Sequence, residues 1–262
     1  MTALAASHPL RLPGLPKWLL GFVSPVLVLL LWWAVTEAAW FPREILVPPC
    51  AVLAAFAELW QSGELTKHLA ATFTRLGIGF VAGTGIGLAI GCCTALSRAF
   101  EDYTAPLFTV LRVVPSIAFI PILILIFGIG ETFKILVVAK ATFFPVALAT
   151  QEAVRGIPQR YLDVMRAYSL PLPYRLRRVL LPATLPSIIT GVRLGLGRAW
   201  GVLVAAELVA SESGLGQMME FGRQMFRLDL VMVGVIIAGL VGFGLDRAFR
   251  ALEAHLSRWK AN

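Results

Sequence analysis

The chain has 262 residues, of which 58% are hydrophobic and 15% charged, and its mean hydropathy is +0.80. Soluble domains run at about 25% charged and about 45–50% apolar residues, so a soluble globular domain is excluded. The net charge of +8 would suit nucleic acid, but the cations are distributed as a topology signal, and no nucleic-acid partner is expected.

A helix needs about 20 apolar residues to cross about 30 Å of hydrocarbon. Six stretches qualify, at 19–39, 76–97, 105–127, 133–151, 187–210 and 228–249, which predicts an all-α integral membrane protein. Residues 1–18 read as a cytoplasmic tail and 19–262 as a single transmembrane domain. The first stretch follows Arg11 and Lys17 but runs on through Trp32 and Trp33, longer than the about 7–15 apolar residues of a signal peptide, so it reads as a retained span.

Between the first two spans, Pro48-Pro49 opens a helical spacing of Val52, Leu53, Phe56, Leu59 and Trp60, which predicts a short helix in the outer interface. The second span carries Gly77, Gly79, Gly83, Gly85, Gly87 and Gly91, small residues that let helix backbones approach closely. No strand precedes them, so they are not a nucleotide-binding loop. Pro115, Pro121 and Pro145 in the third and fourth spans each remove a backbone hydrogen bond and invite a kink where a cavity is lined.

The segment 152–186 between the fourth and fifth spans is rich in arginine. Tyr161, Leu162, Met165 and Tyr168 recur at helical spacing after Pro158, a bend falls at Ser169-Leu170-Pro171, and a second piece runs from Tyr174 to Leu181 before Pro182. Two short amphipathic helices joined by a bend leave an apolar side uncovered, which implies a protein partner. With both termini inside, thirteen Lys and Arg residues fall on the cytoplasmic side, six of them in this loop, against five outside. That asymmetry orients the chain.

At this loop the sequence resembles the inner-membrane permeases of binding-protein-dependent ATP-binding-cassette importers, whose signature is an EAA loop. Starting at Glu152 places Leu170-Pro171 correctly but puts Pro158 at the glycine and Tyr168 at the isoleucine. Starting at Asp163 places Leu181-Pro182, with Val179 for the isoleucine, Ser169 for the glycine, and Val164 and Met165 for the alanines. The second register is preferred, because Pro182-Ala183-x-x-Pro186-x-Ile188-x-x-Gly191-x-Arg193 continues the pattern. Leu111-Arg112-x-x-Pro115-x-x-Ala118-x-x-Pro121, Phe127-Gly128-Ile129-Gly130-Glu131, Ala205-Ala206-Glu207 and Gly214-x-Gly216 resemble the nitrate/taurine/alkanesulfonate/bicarbonate branch.

The resemblance implies the type I importer permease fold in a bacterial inner membrane. The expected partners are a second copy of the chain, a cytoplasmic ATPase dimer and a periplasmic or lipid-anchored solute-binding protein, with lipid around the spans. It implies a non-catalytic subunit without a cofactor, ATP and Mg being bound by the ATPase subunits, and no G-x4-G-K-[ST] motif occurs. Asp163, Met165, Arg166, Tyr168, Ser169 and Leu170 are the expected ATPase-coupling surface.

Ionisable groups inside spans are functional candidates by default. Arg112 and Arg193 lie near inner ends and read as snorkelling or paired, while Lys134 lies near Glu131 and Glu207. Lys140 and Arg198 fall near mid-depth with no acid at that level, so a water-filled cavity, an anionic solute, or carbonyls exposed at Pro145 would have to satisfy them. Ser116 and Trp200 are expected beside them on the pathway. The three cysteines, Cys50, Cys92 and Cys93, and the scattered His8, His68 and His255 support neither a metal site nor a disulfide framework. An unrelated secondary carrier would show a repeat and mid-membrane acids. An intramembrane hydrolase would need a nucleophile beside a base. A sulfonate, nitrate, bicarbonate or aromatic carboxylate is the expected solute, with a pyrimidine or riboflavin-like one as the alternative.

Overall fold

A computed structural model describes residues 17–42, 45–169 and 171–256. Among the described residues the chain is helical throughout: α1 (Lys17–Glu37), α2 (Pro49–Gln61), α3 (Glu64–Leu96), α4 (Arg98–Val113), α5 (Ile120–Phe127), α6 (Glu131–Arg155), α7 (Gln159–Ala167), α8 (Leu172–Arg175), α9 (Leu181–Val209), α10 (Leu215–Gln224) and α11 (Leu228–Leu256). Four helices are long and apolar enough to cross a membrane: α3, α6, α9 with the turn before it, and α11. The pair α4 and α5 is a fifth span only in bent form, and the described apolar part of α1, Val23–Glu37, is shorter than a full crossing.

Helix α6 lies at the centre, between α3 and α9. Glycines make this close packing. A Cβ on Gly79, Gly83, Gly87 or Gly91 of α3 would stand 2.7, 2.4, 2.9 and 2.5 Å from the backbone carbonyls of Ile135, Ala139, Phe143 and Ala147 on α6. The four-residue spacing puts all four glycines on one ridge. Gly77 and Gly85 have open space, so only part of the glycine run serves packing. On the other side of α6, Gly191 and Gly195 of α9 seat against Ala149 and Thr142.

Helix α2 forms where the Pro48-Pro49 pattern predicts, burying Val52, Ala55 and Leu59 and leaving Leu53, Phe56 and Trp60 exposed. Its two apolar faces suit a helix packed on the bundle and wetted by lipid.

Four expectations are corrected. The second span begins at Glu64, well before residue 76, because the polar stretch up to Arg75 continues the helix and Arg75 is internally paired. The third is not one helix: it breaks between α4 and the short turn Ser116–Phe119, and the two halves meet at 95°. Pro115 forces Val114 out of the helical region, to φ −68° and ψ 119°. Pro121 and Pro145 make no such break. Pro121 falls in the first turn of α5, where no amide hydrogen is needed, and α6 runs through Pro145. The segment 152–186 is also less of a loop than expected, since α6 reaches Arg155 and a π-helical turn, Leu176–Leu180, joins α8 to α9 through Pro182.

Candidate functional site

A cleft of about 930 Å³ opens between α6, α7 and α9, at the end of the bundle that carries α7. Pro145, Leu148 and Ala149 of α6 face Gly191 and Leu194 of α9 across it, and Tyr161 closes one side. Glu152, Arg160, Arg178 and Arg198 reach it, three cations against one acid. Among the described residues Glu152, Arg178 and Arg198 have no hydrogen-bond or ion-pair partner, whereas the guanidinium of Arg160 lies 5.2 Å from the Tyr161 ring centre. An apolar cleft with a few unspent charges is the default shape of a small-ligand site.

Of the four residues expected on the pathway, Arg198 alone lines this cleft. Lys140 stands at the same level of the α6–α9 pair, since Gly195 packs on Thr142, but it faces the α4–α5 break. Its Nζ donates to the Val114 carbonyl at 3.0 Å and lies 4.2 Å from the Phe119 ring centre and 5.4 Å from that of Phe144. Of the alternatives for satisfying a cation at this level, a backbone carbonyl serves Lys140, that of Val114 at the break before Pro115 and not one at Pro145. Ser116 opens the short turn beyond the same break, half-buried. Trp200 is a core residue, 8% exposed, with its indole N–H on the Ala238 carbonyl at 3.1 Å and its ring beside Phe73.

Beside the cleft mouth stand α7 and the bend after it, on the segment expected to form a knob. Met165 is 4% exposed and anchors the knob, so it is not part of an inserted surface. Tyr168 is 76% exposed, with Tyr161 and Val164 also outward. Asp163 accepts from Gln159 Nε2 at 3.2 Å. Ser169 makes the bend at φ +45°, a conformation natural to glycine. The Arg166 side chain and Leu170 lie outside the described residues. Arg155 clasps Glu101 on α4 and donates to the Thr94 carbonyl of α3 at 2.8 Å, fixing the α7 end of α6. Arg193 is paired as expected, at 3.4 Å from Glu253 and 3.9 Å from Asp246.

The densest polar cluster lies at the opposite end. Arg75 of α3, 3% exposed, spends all five donors: Nε and Nη2 on Glu131 at 2.5 and 2.7 Å, Nη1 on Glu207 at 2.7 Å and on the Ser213 carbonyl at 2.6 Å, and Nη2 again on Ser213 Oγ at 2.7 Å. Glu207 also accepts from Thr72 Oγ1 at 3.0 Å and from the Gly216 amide at 3.1 Å, so its carboxylate caps the start of α10. The Gly214 amide donates to His68 Nδ1 at 3.0 Å. A Cβ on Gly214, at φ +115°, would stand 2.4 Å from the Glu207 carboxylate, and one on Gly216 2.4 Å from the Val204 carbonyl. The Ala-Ala-Glu and Gly-x-Gly motifs are therefore two sides of one contact. Lys134 pairs with Glu131 at 3.2 Å as expected, while Glu207 belongs to Arg75. Sequence reasoning missed this cluster because Arg75 read as a loop residue; its four-residue spacing from Gly79 was the available signal. On the surface of this end, hydrogen bonding to Arg227 holds the Glu58 carboxyl below its ordinary range, and Arg223 and Gln224 hold Glu220 down at about 2.

Membrane-crossing helices around a charged, ligand-sized cleft, with an amphipathic knob at its mouth, define a polytopic transport subunit. The chain belongs to the family described as "Binding-protein-dependent transport system inner membrane component", whose family model matches residues 83–258. It is 37% identical to the putative aliphatic sulfonates transport permease protein SsuC of Bacillus subtilis (strain 168), over 93% of this chain and 88% of that one. It is 33% identical to the taurine transport system permease protein TauC of Escherichia coli (strain K12), over 88% and 86%. It is also 33% identical to the riboflavin transport system permease protein RibX of Chloroflexus aurantiacus, over 92% and 90%. Its fold is similar to a chain of the MetNI methionine ABC transporter in an inward-facing conformation, with a TM-score of 0.55 at 22% identity over 69% of this chain and 92% of that one. The chain is thus a multi-pass inner-membrane permease subunit of an ATP-binding-cassette importer. It is a non-catalytic component that works with ATPase and solute-binding partners.

Proposed function

We propose that the protein forms the translocation pathway for a small organic anion, with an alkanesulfonate or taurine as the leading solute class. Residues 19–262 act as one permease domain, paired with a second copy, with both termini and the α7 knob in the cytoplasm. ATP and Mg are held by the ATPase subunits and none by this chain. The observation that carries the reading is Arg198: an unpaired cation halfway along α9, on the wall of a cleft with apolar sides. An unpaired guanidinium at that depth is costly unless water or an anion reaches it. The names of the sulfonate and taurine relatives support the same solute class. In this reading α7 and its bend seat in the ATPase, with exposed Tyr168 in contact and buried Met165 holding the knob to the permease.

The test is uptake of radiolabelled taurine and alkanesulfonates by vesicles holding the permease, its ATPase and its binding protein. Arg198→Met at normal expression should lower uptake at least tenfold, the order expected when a charge-assisted contact is lost. Unchanged uptake overturns the anion reading. The riboflavin relative favours one second reading: a neutral ring-shaped solute would leave uptake indifferent to Arg198→Met while still requiring ATPase and knob.

A further inference from the structure

Helix α4 has no buried residue, although it is strongly amphipathic, and it ends at the 95° break before α5. Its last carbonyls have no donor within the helix, because Pro115 supplies no amide hydrogen and turns the chain away. Besides its packing on α3, α4 is tied to α6 at both ends by cations of that helix. Arg155, at one end of α6, clasps Glu101 in the first turn of α4. Lys140, fifteen residues earlier on α6, donates to the Val114 carbonyl at the other end of α4 and is covered by the Phe119 and Phe144 rings. The two spacings match: thirteen residues from Glu101 to Val114 rise about 20 Å, and fifteen from Lys140 to Arg155 about 22 Å. A cation at a helix C-terminus is favourable in its own right, and more so where water is scarce. Between the two clasps, Phe108 of α4 packs edge-on against Phe143 and Phe144 at 5.9 and 5.0 Å.

We propose that Lys140 is a positioning residue that pins the mid-membrane break of the α4–α5 span, so that α4 moves with α6 as one arm during the transport cycle and Lys140 does not contact the solute. The proposal goes beyond the permease reading and rests on it. The half-span is a lever only if both ends are held, and the glycine ridge already locks α6 to α3. Phe119, first residue before α5, ties the far side of the break to the same ammonium group, so the 95° angle between the halves is set at Lys140.

The experiment uses the complete transporter, with binding protein and ATPase, in nanodiscs. Cys50, Cys92 and Cys93 are replaced by Ala, and spin labels are placed through Val110→Cys on α4 and Leu136→Cys on α6, both exposed positions. With Lys140 present, the interlabel distance distribution is narrow. Lys140→Met should broaden it and lower maximal uptake about tenfold, with the half-saturating solute concentration unchanged within about twofold, and Lys140→Arg should restore both. Arg155→Gln, which opens the other clasp, should broaden the same distribution. Where Lys140→Met fails to reach the membrane, Phe119→Leu reads the same quantity. An unbroadened distribution in these variants overturns the proposal. So does a Lys140→Met transporter with its α4–α6 distance intact and its solute selectivity or half-saturation shifted. Loss of ATPase-dependent uptake in the unsubstituted protein would instead overturn the permease reading, so the two failures are distinguishable.

Discussion

Removing Arg75 tests whether the cluster at the α10 end holds the bundle together. Arg75→Met keeps much of the side-chain length and deletes five hydrogen bonds at once. The exposed Glu131 can turn to water and keeps Lys134, so its loss costs little. Glu207 cannot, because its side chain has no exposed surface. Its remaining donors, Thr72 and the Gly216 amide, carry no full charge. Breaking a buried pair by removing one partner costs about 3–5 kcal/mol, most of it the stranded charge. The variant should therefore lose about that much in an SDS titration of the protein in mixed micelles followed by tryptophan fluorescence. Glu207→Gln added to Arg75→Met removes the stranded charge, and the double variant should recover about half of the loss. A single-variant loss below about 1 kcal/mol, or a double variant worse by the full sum of its parts, would show that the cluster is ornamental to stability.

Gly83→Leu forces a side chain into the 2.4 Å approach to Ala139, and it should abolish assembly into a stable permease, whereas Gly85→Leu, with nothing within 4 Å, should assemble normally by size-exclusion chromatography. Ser169→Gly should stabilise the bend by about 1 kcal/mol in the same titration and leave uptake intact, since it removes a left-handed non-glycine residue. Tyr168→Ala, on a 76% exposed side chain, should leave folding unchanged and weaken ATPase capture in a pull-down, while Met165→Ala should cost about 2–4 kcal/mol of stability.

Elements governed by local rules were legible in the residues, and those governed by long-range pairing were not. The hydropathy runs located the long helices, and the Pro48-Pro49 start with a helical spacing located α2. The glycine ridge was legible as packing but not in its selection, because only the partner helix distinguishes Gly83 from Gly85. Three prolines looked equivalent as kink sites. The difference lies in position: Pro121 sits in a first turn, Pro145 is buried in the middle of a tightly packed helix, and Pro115 alone stands where the chain has room to turn. Depth counting put Lys140 and Arg198 at one level, but it carries no information about facing, so it grouped a lysine turned to the α4–α5 break with a cleft arginine. Arg75 escaped for a related reason, its partners lying 56 and 132 residues away.

The distribution of satisfied and unsatisfied charge then says which parts can move. At the α10 end, one guanidinium joins α3, α6 and the loop after α9 with no donor left over. Along α3 and α6, four missing side chains bring backbones into contact, so sliding one past the other would drive α3 into the Val138, Thr142, Val146 and Thr150 side chains. Toward its start α9 also meets α6 closely, where a Cβ on Gly191 would stand 2.2 Å from that of Ala149 and Gly195 seats on Thr142, and the cleft opens beside this contact. The α7–α8 bend stands at the opposite end of α9 from the Glu207–Arg75 contact, next to the π-helical turn that leads into α9. Among the described residues Arg178 and Arg198, on the α9 side of the cleft, and Glu152, on the α6 side, are the charges left without a partner.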